Sequence, residues 1–100
     1  MNIKTNEELL ERNAAQAAQL LKALAHKERL MILCHLLNGE QSVGELAQKS
    51  QLSQSAFSQH LAILRRDELV QTRKEAQTVY YALANDHSVQ ILKILQKIYC

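Results

Sequence analysis

Ser42-Val43-Gly44-Glu45-Leu46-Ala47-Gln48-Lys49, then Ser50-Gln51-Leu52, then Ser53-Gln54-Ser55-Ala56-Phe57-Ser58-Gln59-His60-Leu61-Ala62-Ile63-Leu64-Arg65-Arg66, reads as two helices joined by a tight connection. Ser42 and Glu45 have the spacing of a capping box, in which hydroxyl and carboxylate each satisfy one backbone amide left open at a helix start. Ser53 supplies a second N-cap. Ala56, Phe57, Leu61 and Leu64 then recur at helical spacing, so the second helix runs to about Asp67 with one apolar inner face. A short helix and a longer one joined by so brief a turn form a helix-turn-helix.

Beyond it, Leu69 to Arg73 and Gln77 to Leu83 are rich in Val, Thr and Tyr and flank Lys74-Glu75-Ala76, a pattern that predicts a hairpin wing. Asp86 is expected to cap a last helix ending at Cys100, in which Ile91, Leu92, Ile94, Leu95, Ile98 and Tyr99 cover more than half the circumference. On the other side, Lys27 to Asn38 is apolar at nearly every position. It predicts a central helix surrounded by protein and closed at Asn38-Gly39 by a left-handed cap. From Asn6 to Ala25, the narrow stripe Leu10, Ala14, Ala17, Leu21 and Leu24 marks the first helix. The fold class is therefore mainly α with a small β-hairpin wing: a five-helix winged helix-turn-helix. Helices one and five carry more apolar surface than one chain of this size needs to cover, so a homodimer through those two helices is expected.

Composition agrees with a small helical protein and excludes several alternatives. One hundred residues suit a single domain spanning 1–100, and a chain with no proline and two glycines has few internal breaks. Hydrophobic residues at 47% and charged residues at 22% are ordinary for a globular chain. No apolar run approaches the ~20 residues of a membrane span. The polar, acidic start is unlike a targeting peptide, so the expected location is the cytoplasm. A net charge of +2 is too weak a bias to announce nucleic-acid binding by itself. Two cysteines, Cys34 and Cys100, form neither a disulfide scaffold nor a Cys-x-x-Cys metal motif, and no cofactor motif occurs. Cys34 and His35 are consecutive on a helix and diverge, and no glycine-rich loop or nucleophile motif is present, so an enzyme is not expected.

The candidate chemistry is recognition of double-stranded operator DNA. Opposite Phe57, Leu61 and Leu64, the second helix of the motif presents Gln54, Ser55, Ser58 and Gln59 near its N-terminus, where side chains reach base edges in a major groove. Arg73 and Lys74 on the wing are placed to meet phosphate or the adjacent minor groove. Arg65 and Arg66 admit two readings: contact with the phosphate backbone, or a solvated, salt-bridged rim, since Asp67, Glu68 and Glu75 nearly cancel the charge of Arg65, Arg66, Arg73 and Lys74. His60, three residues after Phe57, reads as a structural hydrogen-bonding residue.

Leu21-Lys22-Ala23-Leu24-Ala25-His26, Arg29 to Leu33, Leu52 to Leu61 and Leu64-Arg65-Arg66 together resemble the ArsR/SmtB family of bacterial repressors, over essentially the whole chain. Arg73 to Tyr81 and the final Tyr99-Cys100 resemble its thiol-sensing branch. That resemblance implies two sensing cysteines, one on the second helix and one at the end of the fifth, and Cys34 and Cys100 occupy those places. It also implies a small oxidant or persulfide as inducer. Read alone, Cys34 is a small buried hydrophobe and Cys100 an incidental terminal thiol. The metal-ligand motifs of the family's metal sensors are not found: Val43 to Ser50 holds no cysteine, and Asp86 and His87 diverge. Lys27 stands where the family often has proline and Glu68 where it often has glycine. Two functions follow from this reading: a dithiol-switched DNA-binding regulator, or a redox-insensitive one that displaces another DNA-binding protein from promoters.

Overall fold

The computed structural model describes residues 3–99. Five helices, α1 (Ile3–Leu24), α2 (Lys27–Leu36), α3 (Val43–Gln48), α4 (Gln54–Arg66) and α5 (Asp86–Tyr99), surround a sheet of β1 (Gln41–Ser42), β2 (Val70–Glu75) and β3 (Thr78–Leu83). The sheet is antiparallel in the order β1-β3-β2, so the expected hairpin gains a third strand. That strand escapes sequence reading because it is only two residues long, and Ser42 serves both as its end and as the cap of α3.

Local signals fix most element starts. Ser42 Oγ accepts from the Glu45 amide at 3.1 Å and Glu45 Oε1 accepts from the Ser42 amide at 3.0 Å, completing the predicted capping box. Hydrogen bonding to the Glu45 carboxyl, from the Ser42 backbone amide first and the Ser42 side chain second, holds it below its ordinary pKa. Ser53 Oγ accepts from the Ala56 amide at 3.2 Å and starts α4 as expected. At the last helix the cap is Asn85 rather than Asp86: Asn85 Oδ1 accepts from the Ser88 amide at 2.9 Å, while Asn85 Nδ2 donates to the Glu68 carbonyl at 3.3 Å. Either residue type can cap, but only an amide can also donate, and the contact to Glu68 needs a donor.

Ala23 and Leu24 of α1, Ile32, Leu33 and Leu36 of α2, Leu46 of α3, Phe57, Leu61 and Leu64 of α4, then Leu69, Val70, Tyr81 and Leu92 form one core. α2 packs on α1, α4 and β3, yet it is not enclosed as its composition predicted. Met31 is 41% exposed and Leu30, Cys34 and Leu37 are half-buried. Of its ten residues only Lys27 and Met31 are exposed. It ends at Leu36, two residues before the expected cap, with Leu37 as a right-handed C-cap in place of a left-handed one, and the chain then turns at Gly39, whose φ of 125° is open to glycine.

The exit from α4 decides where the wing goes. The Leu69 amide donates to the Leu64 carbonyl at 3.0 Å and the Glu68 amide to the Arg65 carbonyl at 3.0 Å, the paired bonds of a Schellman motif. Its left-handed position is Glu68, with φ 58° and an exposed side chain. Glu68→Gly should therefore raise unfolding stability by about 1 kcal/mol, because glycine removes the Cβ clash that this backbone imposes. A denaturant midpoint unchanged or lowered by the substitution would refute this.

Arg29 joins three elements. Its Nε donates to the Ala23 carbonyl at 2.6 Å and its Nη2 to the Lys22 carbonyl at 3.3 Å, satisfying the end of α1. Its Nη1 faces His60 Nδ1 on α4 at 3.4 Å, and the His60 ring lies 4.4 Å from that of His26. His60 is thus a structural residue, as its spacing suggested. Burial first, then the nearby His26 and Arg29, lower its pKa from the ordinary 6.5, with Glu28 opposing. Above that ordinary value His60 adds no pH dependence. As pH falls below it, the unfolded chain takes up a proton that folded His60 resists, and stability declines until pH passes the folded value. Stability measured between about pH 7.5 and pH 5 should fall, and His60→Gln, which keeps an acceptor for Arg29, should flatten the slope. An identical slope in both proteins removes His60 as its source.

Candidate nucleic-acid interface

Gln54, Ser55, Ser58 and Gln59 are all exposed on one face of α4, opposite the buried Phe57, Leu61 and Leu64. The helix thus carries its polar residues outward because its apolar ones anchor it to α2 and β2. Amide and hydroxyl groups at the N-terminal end of such a helix can pair with base edges, glutamine with adenine and serine with several acceptors.

The wing differs from expectation in its turn. Glu75 pairs with Thr78, so the turn is Ala76-Gln77, and Arg73 and Lys74 lie in the ladder opposite Tyr80 and Val79. Ala76 has φ 55°, the positive value that a two-residue hairpin turn demands. Without Asn-Gly or Asp-Gly at this point the sequence carries no sign of it.

Arg73 is the most heavily engaged side chain of the wing. Its Nε and Nη2 donate to Glu40 Oε2 and Oε1 at 2.8 and 2.6 Å, and its Nη1 donates to Glu75 Oε2 at 2.7 Å. Its guanidinium also stacks on the Tyr80 ring, 4.4 Å from the centroid. Hydrogen bonding from Arg73 holds the Glu40 carboxyl below the usual carboxylate range, and the two carboxylates raise the arginine pKa. Lys74 is exposed and takes part in none of the salt bridges of the described residues. Glu40 was missed in the sequence because it stands 33 residues from its partner. The β1-β3-β2 order places β3 between β1 and β2, and the Arg73 side chain reaches across the Tyr80 ring of β3 to the loop before β1.

Arg65 and Arg66 separate. Arg65 Nη1 donates to the Tyr81 hydroxyl, joining the end of α4 to β3. Arg66 pairs with Asp67 at 3.3 Å and follows the rim reading. Cys34 lies half-buried on α2 against the core, and Cys100 lies outside the described residues. No group of three or more His, Cys, Asp or Glu able to hold a metal occurs among the described residues. None of the described helices is long and apolar enough to cross a membrane.

A helix-turn-helix with an exposed polar second helix and a flanking basic-acidic wing defines a winged-helix DNA-binding regulator. Comparison with known proteins places it further. Residues 26–72 match the bacterial regulatory proteins of the arsR family. The transcriptional activator HlyU of Vibrio cholerae is 55% identical over 95 residues, which are 95% of this chain and 88% of that protein. The biofilm growth-associated repressor of Agrobacterium fabrum is 44% identical over 91 residues, or 91% of this chain and 78% of the repressor. The structure of reduced HlyU from Vibrio cholerae has a TM-score of 0.88 at 55% identity, covering 93% of this chain and 98% of that one. The repressor BigR from Xylella fastidiosa gives 0.84 at 39% identity, covering 94% and 96%. The chain belongs to the arsR family of bacterial regulatory proteins and is a DNA-binding transcriptional regulator, not an enzyme.

Proposed function

We propose that this regulator binds operator DNA as a homodimer and changes its affinity when Cys34 and Cys100 are linked. The observation that carries the DNA reading is the exposed Gln54, Ser55, Ser58 and Gln59 face beside the wing that holds Arg73 and Lys74. In this reading the first four meet bases and the last two meet the sugar-phosphate backbone. Dimerisation is supported by Leu10 and Leu21 of α1 at 69% and 57% exposed, and by Ile94, Ile98 and Tyr99 of α5 at 58%, 65% and 81%. Joining two copies through these helices would hide that apolar surface and pair two recognition helices for a palindromic site.

The thiol switch rests on Cys34, half-buried on α2, and on the likeness to a protein solved as reduced HlyU. One protein thiolate attacks the outer sulfur of a small persulfide, which leaves as a thiol after taking up a proton. The new protein persulfide is then attacked at its inner sulfur by the second thiolate, forming a disulfide and releasing hydrogen sulfide. If both thiols are first persulfidated, the same attack leaves a trisulfide and releases hydrogen sulfide. Either bridge would tie the central helix to the end of α5. The relatives include an activator and a repressor by name, so the proposal concerns affinity, not the sign of transcription.

Sequencing the DNA fragments bound by pure protein, with and without persulfide, tests both parts. Parent protein should enrich a palindromic fragment and lose roughly 5- to 150-fold in affinity on treatment, the usual scale of coupling between sites. Cys34→Ser and Cys100→Ser should bind that fragment normally and not respond. A double-serine variant that releases DNA on treatment as readily as the parent would remove the two cysteines as the switch, and a parent whose affinity does not change would leave the redox-insensitive reading in its place.

A further inference from the structure

We propose that Glu40 is the wing's affinity-setting residue: it occupies the phosphate-binding fork of Arg73 in the DNA-free protein and must give way for Arg73 to reach the DNA backbone. This deepens the wing assignment above and rests on it.

The two hydrogen bonds between Glu40 and Arg73, at 2.8 and 2.6 Å, form the parallel fork that guanidinium also offers to a phosphate. A planar group cannot present that edge to two anions at once. Glu75 takes a third N–H at 2.7 Å, and stacking on Tyr80 covers one flat face. Glu40 reaches Arg73 from the loop before β1, so the clasp spans the sheet rather than following from neighbouring residues. In formal charge the set is balanced, Arg73 and Lys74 against Glu40 and Glu75. An approaching phosphate therefore has to displace Glu40 and then sits close to the released carboxylate.

Removing the charge while keeping the shape should expose Arg73. With a duplex of random sequence and with the fragment most enriched by the parent, Glu40→Gln should bind about three- to tenfold more tightly at moderate salt. The increase reflects loss of an exposed ion pair and of one like charge near phosphate. The plot of log affinity against log salt should steepen by about 0.9 per protomer, since one more net positive charge faces DNA. In an Arg73→Gln background, the gain from Glu40→Gln should shrink to less than half, because the fork it unmasks is gone. A merely structural Glu40 predicts the opposite: weaker binding, an unchanged salt slope and a lower unfolding midpoint. Equal or weaker binding by Glu40→Gln, or a gain that survives intact without Arg73, overturns the proposal. Failure of the parent to bind either duplex would instead overturn the interface reading beneath it.

Discussion

Leu64→Ala should destabilise the protein by about 2–5 kcal/mol, the range for deleting a fully buried leucine whose site cannot collapse. Leu64 has no exposed surface, lies on the inner face of α4 and shares the core with Leu33 and Leu92, which are equally covered. It also supplies the carbonyl that closes the Schellman motif, so the cavity would open where the recognition helix hands over to the wing. A chain of this size has only about 5–15 kcal/mol in total, so a loss of this order removes a large part of its stability. Denaturant unfolding at one fixed protein concentration should show a lower midpoint with an unchanged slope. A loss under about 1 kcal/mol would mean that the core around α4 repacks, contrary to the single cluster described above.

Gln54→Ala and Gln59→Ala should each weaken binding to the enriched fragment by roughly 1–3 kcal/mol while leaving binding to random duplex almost intact. Both side chains are exposed and neither supports the core, so the folded state should be unaffected. Lys74→Ala is the contrast. Its charge addresses phosphate, so binding to both duplexes should fall and the salt slope should flatten by about 0.9 per protomer. Equal losses on both duplexes for the glutamine variants would move the recognition face elsewhere on the molecule.

The reach of sequence reading can be judged from particular residues. Ser42 with Glu45, and Ser53, predicted two helix starts because a cap acts over three residues and needs nothing distant. The stripe Phe57, Leu61, Leu64 predicted which face of α4 turns inward, and with it which polar residues remain outside. Expectation failed where local choices were degenerate. Asn85 and Asp86 are both good caps, and the carbonyl of Glu68, 17 residues away, decided between them. A turn at Lys74-Glu75-Ala76 and one at Ala76-Gln77 are equally polar, and the pairing of Glu75 with Thr78 decided the register.

Sequence alone thus determined the order of the five helices and the two wing strands, the helix-turn-helix and the polar face of α4, since periodicity and capping are interactions among residues a few positions apart. Tertiary structure alone decided what the charged side chains do. Arg65 went to Tyr81, Arg66 to Asp67 and Arg73 to Glu40. Long cationic side chains reach several partners at nearly equal energy in water, so the choice falls to whichever acceptor the packed elements bring within a few ångströms.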